Sequence, residues 1–266
     1  MRKCSHLPKK SSSSSLSNPN SPQYKAVEWL AQDKVDNNSN WNGRELLQRY
    51  VLRVLYHSTN GDNWSNSAST SWFIGGSSVC QWPGEGSLYH FCYNRYGGQE
   101  VNAIVLDFDN LQGELPDELG QLTSLEALYL HNNQLTGTIP WQLGELTALT
   151  TLTFNFNQLS GTIPTQLGQL TALSYLYLHA NKLTGTIPLT LTQLTNMRNL
   201  YLHNNNLTGQ MPSGFCAAPF PDWRNSFDSF WSDCMSEVQC DCCDRCLDES
   251  GNFFCWDGSG FTSNAC

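Results

Sequence analysis

Apolar positions from Val101 onward recur on a step of 24 residues, in a unit that reads L-x-x-L-x-L-x-x-N-x-L-x-G-x-I-P-x-x-L-G-x-L. Leu111, Leu135, Leu159, Leu183 and Leu207 keep the step. So do Gly113, Gly137, Gly161, Gly185 and Gly209, and the prolines Pro116, Pro140, Pro164, Pro188 and Pro212. Strand side chains alternate, so each L-x-L predicts a short strand with two leucines inward and the middle residue outward. Stacking five such strands predicts a parallel sheet over one continuous leucine core, a solenoid. A polar column of Asp109, Asn133, Asn157, Asn181 and Asn205 is expected to bend inward, where an amide satisfies backbone groups that a tight turn leaves unpaired. Glycine lets the chain turn closely and proline closes the turn. These columns are scaffold.

Ahead of the repeats the period changes. Tyr24 to Gln32 is a short amphipathic helix candidate, and Arg44 to Tyr56 is a stronger one, with Leu46, Leu47, Tyr50, Val51, Val54 and Leu55 at helical spacing. The turn-rich NGDNWSNS and a Trp- and Cys-bearing stretch from Trp72 to Cys92 lead into the first strand. The chain thus divides into a Ser-rich tail expected to be disordered (1–23), an N-terminal helical and Cys-bearing cap (24–99), five repeats (100–215) and a cysteine-rich C-terminal cap (216–266).

Charge and cysteine narrow the function classes. Fourteen Lys and Arg against 23 Asp and Glu give a net charge of −9, which argues against a nucleic-acid partner. No run approaches the ~18 consecutive apolar residues of a membrane span. Eleven cysteines point to an oxidising compartment. Cys80, Cys92, Cys216, Cys234, Cys240, Cys242, Cys243, Cys246, Cys255 and Cys266 are the disulfide candidates, and a metal-thiolate cluster is the other reading of CDCCDRC. Three Asn-x-Ser/Thr triplets, one containing Asn38 and the others beginning at Asn63 and Asn206, are glycosylation candidates compatible with secretion. The opening MRKCSHLPKKSSSSS has charge but no apolar stretch, so it does not read as a signal peptide, and export information is expected outside this chain.

The repeat resembles the plant-type leucine-rich repeat, whose signature L-x-G-x-I-P stands here as LTGTIP at Leu135 to Pro140 and at Leu183 to Pro188. The stretch with YHSTNGDNW and VCQW resembles the N-terminal cap of plant and algal receptor-like proteins, although eleven residues separate Cys80 from Cys92 where that cap is tight. Cys216, Cys234 and CDCCDRC resemble the tail of algal members. The resemblance implies an α/β fold: a right-handed leucine-rich-repeat solenoid with a short parallel sheet, a helical N-terminal cap and a cysteine-rich C-terminal cap. It also implies a receptor-like ectodomain or a relative of secreted polygalacturonase inhibitors.

The outward sheet positions carry the candidate site. One column reads Val105, Tyr129, Thr153, Tyr177, Tyr201, the next outward one Asp107, His131, Asn155, His179, His203, and the one beside it Phe108, Asn132, Phe156, Ala180, Asn204. Duplication alone would align them; so would a concave ligand-binding face of Tyr129, His131, Phe156, Tyr177, His179, Tyr201 and His203. His179 and His203 fall on neighbouring strands, so one should titrate below its ordinary value. No further ligand completes a metal site there, and no cofactor or catalytic motif is present. The expected partner is a protein or peptide, a co-receptor included, in cell-surface signalling, by a non-enzymatic mechanism. A secreted inhibitor of a foreign wall-degrading enzyme is the alternative. A second array, Thr136, Thr138, Ser160, Thr162, Thr184, Thr186, Thr208 and Gln210, has the regularity that binding of ordered water or ice would need.

Overall fold

The computed structural model describes residues 15–37, 41–65, 100–212 and 215, with five short strands beyond. Helix α1 spans Pro22–Asn37 and α2 spans Gly43–Ser58, each longer at both ends than the apolar spacing predicts. Capping explains the difference at the N-terminal ends. Ser21 Oγ accepts from the Tyr24 N–H at 3.1 Å, and Pro22 fills a first helical position that needs no donor. Asn42 Oδ1 does the same for the Glu45 N–H at 2.9 Å.

The two helices pack through an unusual interior. The Arg49 side chain is fully buried, paired with Asp33 at 3.4 Å and Glu45 at 3.5 Å, and its guanidinium lies 4.4 Å from the Trp41 ring centroid. Arg53 lies between Trp29 and Tyr56 at 4.7 and 4.6 Å, and burial pulls its pKa down to about 10. Tyr56 donates to Asp62 at 2.6 Å; burial first, then this bond, raises its pKa to about 12. The cap docks onto the first repeat by backbone. Val101 N–H donates to Gln48 Oε1 at 2.7 Å, and Gln112 N–H donates to the Thr59 carbonyl at 3.0 Å. Gly113 (φ +116°) is needed at this seam, because a Cβ there would stand 2.2 Å from the Ser58 carbonyl oxygen.

In the repeats, Ala103–Val105, Ala127–Tyr129, Thr151–Thr153, Tyr175–Tyr177 and Asn199–Tyr201 pair in parallel, each register step being the 24 residues of the repeat. On the opposite side run short 3-10 turns: Asp117–Gln121, Trp141–Glu145, Thr165–Gln169 and Leu189–Gln193. Between them the leucines make one dry core: Leu111, Leu128, Leu135, Leu152, Leu176, Leu183 and Leu200 are completely buried. The sheet has six strands rather than the expected five, because Ser229–Trp231 pairs in parallel with Asn199–Tyr201. That strand satisfies backbone groups an open edge would expose.

The asparagine column behaves as expected. Asn157 Oδ1 accepts from the Leu135 N–H at 2.9 Å, while its Nδ2 donates to the Leu130 and Phe154 carbonyls at 2.9 and 3.0 Å. Asn133, Asn181 and Asn205 repeat the arrangement, so each amide ties its own turn to the one before.

Candidate functional site

The outward residues of the five inner strands share the open face of the sheet, and the structure brings the expected aromatic columns together. Tyr177 and Tyr201 stack with centroids 4.5 Å apart and planes within 10°. His179 and His203 stack in the same way, at 4.5 Å and 15°. Their strands are direct neighbours in register, which holds equivalent side chains at about the ~4.8 Å strand spacing. Edge contacts join the columns: His179 to Tyr201 at 5.6 Å and Tyr177 to His179 at 6.3 Å. His131 stands apart from that pair. Its Nε2 is 3.6 Å from Asp107 and its Nδ1 is 3.3 Å from the Thr153 hydroxyl. Tyr129 is half-buried in the same turn as His131, and Thr153 and Asn155, which separate the two aromatic groups, are buried.

The column of Phe108, Asn132, Phe156, Ala180 and Asn204 occupies left-handed backbone throughout, with φ between 54° and 56°. Asparagine suits that conformation and phenylalanine does not. Phe108 and Phe156 are nevertheless 63% and 52% exposed, so burial does not offset the strain. Each meets a histidine of the next turn edge-on, Phe108 with His131 at 5.5 Å and Phe156 with His179 at 5.2 Å. The left-handed position recurs in every turn, and at these two it carries an exposed apolar side chain. Phe108 was not among the expected ligand-binding residues, and neither was Tyr175, whose ring lies 6.4 Å from that of Tyr177. Strand alternation carried the signal for Tyr175, two residues before Tyr177. Phe108 sat in the same column as Phe156.

His179 is the electrostatically distinctive group. Burial first, then His203 and His131, hold its pKa down at about 4, and its buried Nδ1 has no hydrogen-bond partner among the described residues. At neutral pH its ring is therefore uncharged.

Other expected positions divide. All ten candidate disulfide cysteines lie outside the described residues or belong to backbone strands whose side chains are not described: Cys80, Cys92, Cys216, Cys234, Cys240, Cys242, Cys243 and Cys266 the former, with Cys246 in the latter. Cys255 also belongs to the latter, in the strand Phe253–Trp256. Asn63 and Asn206 are exposed. Asn38 is not itself an acceptor: the triplet is Asn37-Asn38-Ser39, so its acceptor is Asn37, the last residue of α1. In the threonine array, part of the regularity has a packing cause. The methyls of Thr138, Thr162 and Thr186 lie 2.9 Å from where a Cβ on Gly161, Gly185 and Gly209 would stand. Thr136 and Ser160 hydroxyls donate to the Gly113 and Gly137 carbonyls at 3.2 and 3.1 Å.

The family model for the Leucine Rich Repeat matches residues 124–146, 148–170, 172–194 and 196–218. No curated protein sequence matches the chain. Among solved structures, a chain of the BIR3–SERK2 complex from Arabidopsis thaliana is 34% identical; the match covers 62% of this chain and 85% of that one, with a TM-score of 0.53. The PEPR1–AtPEP1 structure is 29% identical over 71% of this chain and 24% of that one, with a TM-score of 0.56. A plant ice-binding protein is 27% identical over 75% of this chain and 57% of that one, with a TM-score of 0.57. The structure is a leucine-rich-repeat domain resembling plant receptor kinase ectodomains that bind peptides or proteins, a fold that typically serves as a non-enzymatic binding module. Among the described residues no helix is long and apolar enough to cross a membrane. On its repeats, its parallel sheet and its overlap with the Arabidopsis complex, the chain belongs to the plant-type leucine-rich-repeat proteins.

Proposed function

We propose that the chain is an extracellular recognition module of receptor-like type, which captures a peptide or a protein segment on the open face of its sheet. One observation carries the reading: strained, exposed Phe156 adjoins the stacked tyrosines and histidines on the sheet, and Phe108 meets His131 two turns earlier on the same face. Tyrosine supplies contact area with few rotors to order, and the stacks hold those rings in place before a ligand arrives. The resemblance to a structure solved with AtPEP1, and to one solved as a BIR3–SERK2 complex, supports a peptide or co-receptor ligand and a role in cell-surface signalling. His179 gives the face a pH response. Protonation of His179, with its pKa near 4, places a charge against His203 and alters binding as pH falls below about 5.

The test is selection of a displayed random-peptide library on the immobilised chain, followed by the double variant Tyr177→Ala/Tyr201→Ala. Selected peptides should lose at least tenfold in affinity with little change in melting temperature. Peptides that bind the double variant as tightly as the parent would remove this face from recognition.

A second reading has its own observation. The exposed threonines Thr138, Thr162 and Thr186 repeat turn by turn, and the chain is similar to a plant ice-binding protein. Ice-growth arrest that disappears in Thr162→Lys would support it, and freezing behaviour no different from that of an inert protein would dismiss it.

A further inference from the structure

A groove lies on the opposite side of the molecule from the aromatic face, where the cap meets the first turns. Two cavities of about 610 and 260 Å³ adjoin there through shared walls at Asp117 and Glu118. Glu114 adds a carboxylate to the larger cavity and Glu145 one to the smaller, and among the described lining residues neither Lys nor Arg occurs. The far wall is Trp141, half exposed on a 3-10 turn whose column elsewhere carries Asp117, Thr165 and Leu189. A groove with carboxylates along one wall and an indole face at its end suits a cationic, extended segment. Ammonium and guanidinium groups pair with the acids, and one of them can lie over the tryptophan.

The near end of the larger cavity is lined by Ser15, the residue at which the described chain begins. The fourteen residues before it contain Arg2, Lys3, Lys9 and Lys10 and no acid. That basic set contrasts with a chain whose net charge is −9. Lys10 lies five residues from Ser15, a reach of up to about 17 Å in extended chain, enough to run through the groove from its Ser15 end. We infer that the groove of Glu114, Asp117 and Trp141 is the docking site for the chain's own basic segment, residues 1–14. It would tie the amino terminus across the seam between cap and repeats.

Two measurements test this. In the unmodified chain, a zero-length carbodiimide coupler should join Lys9 or Lys10 to Glu114, Asp117 or Glu145 within one molecule, as mapped by mass spectrometry. Links confined to other carboxylates, or formed only between molecules, would overturn the assignment. In the second, a synthetic peptide of residues 1–14 is titrated against the full chain carrying Lys9→Glu and Lys10→Glu. It should bind that variant at least tenfold more tightly than the parent, whose groove is occupied, and lose that binding when Glu114→Gln and Asp117→Asn are added. Equal binding to parent and variant would show the groove vacant and built for a cationic segment of another protein. No binding to either would show that it takes no cationic chain at all.

Discussion

The N-terminal cap and the repeats solve the same problem, buried polar groups, with opposite chemistry. The repeats use neutral amides after the first turn, where the column holds Asp109: Asn133, Asn157, Asn181 and Asn205 each join two turns. The cap uses ions and rings, with Arg49 sunk between Asp33, Glu45 and Trp41, and Arg53 between Trp29 and Tyr56. A repeated interior has to be self-compatible, since each turn is both donor and acceptor to an identical neighbour, and an amide is both at once. A cap is built once and faces a unique partner, so unlike charges can be matched there. The price is sensitivity, because a buried ion that loses its counterion is far more disruptive than a lost amide bond.

That contrast can be broken by substitution. Arg49→Ala removes an ion-pair partner of the buried Asp33 carboxylate and should cost about 3–5 kcal/mol in chemical denaturation, with part recovered by adding Asp33→Asn. No recovery would mean that Arg49 acts through packing alone. Asn157→Ala leaves the Leu135 N–H and the Leu130 and Phe154 carbonyls without their side-chain partner, and about 3 kcal/mol should be lost. Gly144→Ala would place a Cβ 2.5 Å from the Gln166 carbonyl oxygen, so the turns must part, at about 2 kcal/mol. Gly43→Ala, with nothing within 4 Å, should be neutral or slightly stabilising, which separates crowding from backbone effects in the same melting series.

A further effect is expected with pH, divided between His57 in the cap and His179 on the sheet. Burial, then Arg53 and Lys25, hold the His57 pKa down at about 4. Between the ordinary histidine value and 4 the unfolded chain binds the proton that the folded chain refuses, so stability falls as pH drops through that window. About 2.5 kcal/mol should be lost per histidine by pH 4.5, and His57→Gln and His179→Gln should each remove part of the slope. An unchanged slope in His57→Gln would transfer the response to His179 on the sheet.

Much of the fold was legible because it repeats. Five copies of a 24-residue unit placed the strands, the leucine core and the asparagine ladder without ambiguity. What escaped was what happens once. The sixth strand pairs Phe230 with Leu200, a step of 30 rather than 24, so no periodic search would reach it. The buried Arg49 is invisible for a similar reason: on a helix it reads as a solvated charge until Asp33 on the other helix is seen beside it. The site was half legible. Alternation put Tyr177, Tyr201, His179 and His203 on one face, but only the backbone showed that Phe108 and Phe156 sit in left-handed conformations.

Gly120, Gly144 and Gly168 each stand where a side chain would strike the backbone of the following turn, at Gln142, Gln166 and Thr190. The joint between successive turns is thus the same fitting three times over. A whole turn excised or duplicated at those joints would meet a matching neighbour on either side, while the residues it brings to the open face would differ. Gene duplication can therefore lengthen or shorten the binding surface in quanta of one turn, and each new surface would inherit a scaffold that already closes.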